Sequence, residues 1–338
     1  MVIRLRPRLP LKFSQFSSKD YPGLTGALAL PATKMDIIRS MLMTGYWNIG
    51  DSLATVGVWR VNLLKAMIEG YLDSNLHPTT YYLALEPSER VSMTFLIAQG
   101  LTHWVADYYM RVPILMHLSG RPVGFTVASL TAGGKTGAGK LKEKGRPDFI
   151  GIGYNEYHVF ESKGRSLQAG ITTKSSAAAK SPMKGALAQV SRIDTINGMT
   201  PKTRTGAVWI LRPGAIAGFI TDPPAGRESF HMEFDLREAL FRYYRLIIDA
   251  AVLLASPVQG KGQSRFIRLP YGEGLTFVIE RKLLSLLQDL QNPDFQGSEI
   301  LYFLKINEEK YLRMRPLLNR LGGSIGLDGI GLLAKGDR

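Results

Sequence analysis

The chain has 338 residues, 45% of them apolar and 21% charged, which gives it material for a sizeable core. Its formal net charge of +14 suits a polyanionic partner, because each Lys or Arg that meets a phosphate releases condensed counterions. The absence of cysteine excludes disulfides, thiolate metal sites and cysteine nucleophiles, and the scattered histidines (His77, His103, His117, His158, His231) offer no i, i+4 pair for zinc.

Residues 1–33 carry four prolines (Pro7, Pro10, Pro22, Pro31) and read as an irregular arm. The opening MVIRLRPRLPLKF is basic but has no secretory apolar core. Residues 34–70 follow a helical pattern in two pieces, with Asp51 as the expected N-cap of the second and Gly70 as its stop. A further helix is predicted over 88–109, then strands at 112–118 and 124–130. Residues 131–146 form a Gly/Lys loop. Short strands are predicted at 148–152 and 157–162, a polar loop over 163–182 and a helix over 183–196. Strands follow at 207–211 and 217–221, closed by the breaker DPPAG. A helix over 236–255 capped by Asp235, a hairpin around YGEG, a helix over 280–291 and a closing segment over 298–320 complete the chain. The longest apolar run lies near 246–255, is interrupted by Asp249 and is too short for a bilayer, so no membrane segment is expected, and the absence of cysteine fits a cytoplasmic location.

The segment Tyr157-His158-Val159-Phe160-Glu161-Ser162-Lys163 carries the chemistry. Strand alternation puts Glu161 and Lys163 on one face and Ser162 on the other. Antiparallel pairing of 148–152 with 157–163 across a short turn brings Asp148 to them. Two converging carboxylates repel, and a hard cation such as Mg²⁺ relieves the repulsion. It would activate a water at a scissile phosphate, with Lys163 orienting or deprotonating that water or stabilising the transition state. The Ser162 backbone carbonyl is an expected further ligand.

GRPDFIG and YHVFESKGR together resemble the PD-(D/E)xK nuclease superfamily, the restriction-endonuclease-like fold. Pro147-Asp148 matches the PD element and Glu161-Ser162-Lys163 the ExK element. The resemblance implies an α/β fold with a central mixed sheet flanked by helices, here with extra N-terminal helical and C-terminal α+β regions. It implies that Asp148 and Glu161 bind the metal, that Lys163 is catalytic, and that Mn²⁺ can substitute for Mg²⁺. Gln189, on the helix after the motif, resembles the glutamine of the RecB-like branch, with Ile193 where that branch has an aromatic. Glu89 is the candidate acid on the first core helix, with Asp107 second. The expected organisation is a mostly helical region 1–86, a nuclease domain 87–225 and a helical and hairpin region 226–338.

Residues 131–184 hold ten Lys/Arg against four acids, a net of +6. Arg146, Arg165, Lys174, Lys180 and Lys184 are the expected phosphate contacts. AGGKT at 132–136 is similar to the end of a P-loop, but Ser129 stands where the first glycine belongs and no helix start follows. Tyr243 and Tyr244, beside Arg242 and Arg245, are expected to pack a helix on the core, with base stacking the other use of such a set. The four tryptophans (Trp47, Trp59, Trp104, Trp209) are expected in the core or at domain interfaces. Glu308-Glu309 is expected to precede a basic helix. The functional expectation is a metal-dependent endonuclease acting on DNA, RNA not excluded, in restriction, repair or anti-phage defence, as a homodimer or within a larger defence complex. The alternative is a non-cleaving nucleic-acid-binding or assembly subunit of the same fold.

Overall fold

The computed structural model describes residues 7–17, 19–44, 53–118, 126–130, 136–137, 146–168, 170–223, 230–253 and 265–334. In chain order the elements are β1 (Arg8–Ser14), β2 (Gly26–Pro31), α1 (Lys34–Met43), α2 (Leu53–Tyr71), α3 (Thr80–Ala84), α4 (Pro87–Tyr108), β3 (Ile114–His117), β4 (Thr126–Leu130) and β5 (Thr136–Gly137). Then come β6 (Phe149–Gly153), β7 (Glu156–Ser166), α5 (Ser175–Val190), β8 (Ile193–Ile196), β9 (Thr203–Arg212), β10 (Ala215–Thr221) and β11 (Phe230–Glu233). The chain continues through α6 (Leu236–Leu253), β12 (Phe266–Pro270), β13 (Leu275–Glu280), α7 (Arg281–Asp289), α8 (Ser298–Arg320), β14 (Gly323–Ile325) and β15 (Ile330–Ala334).

A mixed seven-stranded sheet, ordered β2-β1-β10-β9-β7-β6-β3, forms the centre of an α/β fold. Two four-stranded sheets, β5-β4-β11-β8 and β12-β13-β15-β14, stand beside it. The predicted strand at 124–130 joins the first of these small sheets and not the main one. Within the main sheet, β3, β6 and β7 make an antiparallel meander, and β9 returns parallel to β7. Alternate residues of β7 meet different layers. Ser162 and Gly164 face α4, where a Cβ on Gly164 would lie 2.7 Å from the Thr94 carbonyl oxygen. Glu161 pairs in register with Gly206, whose own side faces Met183, Ala186 and Leu187 of α5. The sheet is thus sandwiched between α4 and α5, with Trp104 and Trp209 fully buried.

Several expectations need correction. The N-terminal arm is a pair of strands: Leu9, Leu11 and Phe13 are buried alternately with exposed Arg8, Pro10 and Lys12. Pro10 is tolerated because the β1–β10 ladder begins only at Leu11, so its missing N–H is not needed there. The main sheet thus takes strands from both sides of residue 86. Trp59 is 63% exposed, and Trp47 and the proposed Asp51 cap lie outside the described residues. Most of the 131–146 loop also lies outside them. Glu308 and Glu309 sit inside α8, where Glu308 accepts from Lys305 and Arg111 rather than opening a helix. Tyr243 and Tyr244 are buried and bond to Asp328, which makes them core residues and removes base stacking.

The segment expected as a loop over 163–182 splits differently. β7 runs on to Ser166, and α5 begins at Ser175, eight residues before Met183. The Ala177–Ala179 run favours helix, and Pro182 lies inside the helix it opens. A helical proline leaves the carbonyl four residues earlier without its donor. That carbonyl belongs to Ala178, and Arg165 Nη1 donates to it at 3.1 Å. Arg165→Ala is therefore expected to cost about 1 kcal/mol in the natural background. In a Pro182→Ala background, residue 182 regains an N–H and the same change is expected to cost close to nothing. Denaturant melts of the four proteins measure this coupling; equal costs in both backgrounds would remove the assigned role.

Among the described residues no helix is long and apolar enough to cross a membrane.

Candidate active site

Asp148 immediately precedes β6 and Glu161 lies near the middle of β7, where the β6–β7 register, fixed by Phe149 opposite Phe160, makes them cross-strand neighbours. Each carboxylate is held by the other strand's backbone. Asp148 N donates to Glu161 Oε2 at 2.8 Å, and Ser162 N donates to Asp148 Oδ2 at 3.0 Å. Lys163 Nζ forms an ion pair with Glu161 Oε1. Glu161 is fully buried while Lys163 keeps 35% of its side chain exposed, so the lysine reaches from solvent to a buried acid. Asp148, Glu161 and Lys163 are brought together on one face as alternation predicts, but in mid-strand and not at a strand end, because β7 runs on to Ser166.

Burial dominates the electrostatics. Loss of water raises the Glu161 carboxyl to about 8, with the nearby Asp148 charge adding to the rise and Lys163 opposing it. Burial likewise raises Asp148, against the Ser162 N–H and Lys163. Each site acid is costly to ionise beside the other, the setting in which a bound cation does most.

The proline of the PD pair has a local reason. Carried outward, the Phe149–Phe160 register sets Pro147 opposite Ser162. A proline has no N–H to give the Ser162 carbonyl, so that oxygen is left to other partners. Gln189 reaches the backbone next to the acid pair: its Nε2 donates at 2.8 Å to the Arg146 carbonyl, tying α5 to the chain two residues before Asp148.

Glu89 is not brought to the acid pair. It lies exposed in the first turn of α4, and its described bond is backbone N–H to Glu86 Oε2 at 3.3 Å. α4 packs on the Ser162 face, away from Glu161. Asp107, the second candidate acid, is buried in ion pairs with Arg39 and Arg315. Lys174, Lys180 and Lys184 are exposed on α5 or its N-cap, on the layer that covers the Glu161 face. Arg165 is also exposed but spends one donor on Ala178. Arg146 is half-buried beside Asp148.

Sequence reasoning missed the support behind β7. Trp209 Nε1 donates to Thr102 Oγ1 at 2.9 Å, and Thr102 Oγ1 lies 2.9 Å from Ser162 Oγ. This buried chain fixes the residue between the acid and the lysine from the far side of the sheet. Alternation gave Ser162 its direction; nothing in the sequence named Thr102 as its partner. No group of three or more Asp, Glu or His side chains suited to a metal occurs among the described residues. The two carboxylates fit Mg²⁺, which commonly takes one or two and keeps water for the rest.

No protein-family model, curated protein or solved structure matches the chain.

Proposed function

We propose that the protein is a metal-dependent endonuclease of restriction-endonuclease-like fold that hydrolyses phosphodiester bonds of DNA. The observation that carries this reading is the buried Asp148–Glu161 pair with Lys163 on the same strand face. With β4, β5 and β8 of the small sheet set aside, the order α4, β3, β6, β7, α5, β9, with β9 parallel to β7, supports this reading, since the sequence resemblance implies helix, three strands, helix, strand.

Asp148, Glu161 and the Ser162 carbonyl would hold Mg²⁺ or Mn²⁺. When bound, the ion supplies charge neutralisation and lowers the pKa of a coordinated water. The remaining work falls to the chain's own groups. Lys163, partly exposed beside Glu161, would place its ammonium on a phosphate oxygen or the attacking water. Gln189 keeps the Asp148 turn in place by holding the Arg146 carbonyl. Lys174, Lys180 and Lys184 supply contacts to a phosphate backbone without reading sequence. A cytoplasmic enzyme of restriction, repair or anti-phage defence fits these parts, and a homodimer would let two such sites cut two strands.

The test is incubation of supercoiled plasmid and single-stranded DNA with the protein in Mg²⁺, Mn²⁺ or EDTA. Cleavage is expected with either ion, absent in EDTA, and lost by at least about a thousandfold in Asp148→Ala and Lys163→Ala. Equal activity in wild type and variants would overturn the assignment. Tight, salt-sensitive binding without cleavage would turn the reading to a non-cleaving DNA-binding subunit.

A further inference from the structure

The main sheet ends differently at its two sides. β3, beside the hairpin that carries the acid pair, is buried along its whole length. β2, at the opposite side, is an open edge: Gly26, Ala27 and Ala29 are exposed, and Leu28 and Leu30 keep part of their surface in water. Its sequence GALALP carries no charge. Edge strands are ordinarily kept single by lysines, bulges or prolines, and here only Pro31 blunts one end.

The ladder decides which backbone groups face outward. Ala32 N donates to the Pro7 carbonyl at 3.0 Å, so Pro7 and Ala32 form a hydrogen-bonded pair. Bonded pairs alternate along an antiparallel ladder, which makes Leu9–Leu30, Leu11–Leu28 and Phe13–Gly26 the bonded ones. Pro10, opposite Ala29, agrees with this, since a proline could not serve fully in a bonded pair. The N–H and C=O groups of Ala27 and Ala29 therefore point away from β1, and among the described residues they have no hydrogen-bond partner there. Such a row is what an added strand pairs with.

The two faces set what that strand carries. On one, leucines beside Leu28 and Leu30 would cover their remaining apolar surface. On the other, the register puts Lys12 beside Ala27 and Arg8 beside Pro31. Both cations are exposed, and among the described residues neither is in an ion pair. An added strand would lie two ladder spacings from β1, about 10 Å. Lysine and arginine span much of that distance, and the Ala27 methyl does not block it, so a glutamate on the added strand can meet them.

We propose that β2 takes up an extended acidic segment of a partner protein as a further antiparallel strand, in the pattern Glu-Leu-Ala-Leu-Glu, its acids opposite Pro31 and Ala27 and its leucines beside Leu30 and Leu28. A second copy of this chain fits worse. Pairing β2 with itself would set Arg8 and Lys12 of both copies along one seam, and the other residues of that face (Pro10, Ala27, Ala29 and Pro31) offer no acid. A phosphate backbone would meet the two cations but leave the strand edge and the leucines unused. The inference is independent of the nuclease reading, because none of these residues belongs to the acid pair.

The experiment is fluorescence polarisation of a labelled peptide, Gly-Ser-Glu-Leu-Ala-Leu-Glu-Ser-Gly, titrated with the full chain. A Kd on the order of 100 µM is expected. The same peptide with the core Glu-Glu-Ala-Leu-Leu, equal in composition and charge but without alternation, is expected to bind at least about tenfold more weakly. Ala29→Pro removes one outward N–H at a position where the ladder does not use it, and is expected to weaken binding at least about tenfold. The Arg8→Glu/Lys12→Glu double variant, altered at exposed positions, is expected to lose the acidic peptide and to gain one with the core Lys-Leu-Ala-Leu-Lys, a reversal that misfolding could not produce. Absence of binding, equal binding of the two acidic peptides, or loss in the double variant without the matching gain would each overturn the proposal. Unchanged binding by Ala29→Pro would turn the surface to a simple polyanion site, and a dimer in sedimentation that Ala29→Pro dissolves would give the edge to a second copy; either result also overturns it.

Discussion

Glu161→Gln is expected to abolish metal-dependent cleavage and, at alkaline pH without metal, to make the protein more stable. Cleavage falls because a neutral amide is a poor ligand for a hard cation. Stability rises because the native carboxyl is fully buried beside Asp148. The folded-state value of about 8 lies above the ordinary 4.5, so the folded form holds this proton more tightly than the unfolded chain does. The stability this confers is fully present below about 4.5 and is lost as pH rises through about 8. In the wild type without metal, the melting temperature should therefore fall across that window by an amount equivalent to several kcal/mol. The variant should lack the part of this fall that Glu161 contributes and keep only the part that Asp148 contributes. Its amide oxygen can still accept from Asp148 N, and half-exposed Lys163 can swing away. Added Mg²⁺ or Mn²⁺, which favours the ionised pair, should stabilise the wild type more as pH rises and should do little for the variant. Melts at several pH values, with EDTA and with each ion, give the answer; parallel pH curves for the two proteins would contradict this account of Glu161.

Arg39→Met is expected to be among the most damaging single changes outside the site, at about 3–5 kcal/mol. Arg39 is fully buried and donates from Nη1 to Asp107 at 2.8 Å and from Nε to the Ile330 carbonyl at 2.7 Å, while its Nη2 pairs with Asp328. Arg315 completes the Asp107 carboxylate at 2.6 Å, and Tyr243 donates to Asp328 at 3.0 Å. Gly326 leaves the room: a Cβ there would lie 1.5 Å from the Arg39 guanidinium. The cluster joins α1, α4, α6 and α8 to the turn between β14 and β15. Removing the arginine strands Asp328, whose carboxyl burial already pushes up and whose main opposing influence is Arg39. Adding Asp328→Asn should recover part of the loss by removing the stranded charge. Denaturant melts of the single and double variants measure both terms. A cost below about 1 kcal/mol for Arg39→Met would mean that the network contributes little beyond filling space.

The contrast between these two sites shows what a sequence discloses. The acid pair and Lys163 were legible because they lie on one hairpin, where a period of two and a short turn decide which side chains meet. Asp107 was not: its partners Arg39 and Arg315 lie far away along the chain, so an acid in a buried ion network looked like a site acid. Glu89 was misplaced because helical spacing says nothing about which sheet face a helix covers. Pro182 marked a boundary by local rules, and only Arg165, brought alongside by β7, supplies the bond that eases it. Leu9, Leu11 and Phe13 did carry a strand alternation, but the prolines around them masked it.

The parallel pairing of β1 with β10 also bears on how the chain comes to be folded. Ser14 Oγ meets Thr221 Oγ1 at 2.8 Å, so the first strand of the main sheet is flanked by one of the last. During synthesis β1 can pair with β2 almost at once, but its other edge must wait for some two hundred further residues, roughly ten to forty seconds at ordinary elongation rates. For that interval Leu11 and Phe13 sit on an open strand edge, the kind of surface that captures other nascent chains. Refolding from denaturant should be slow for the same reason, since closing so long a loop precedes any gain from the contacts it makes.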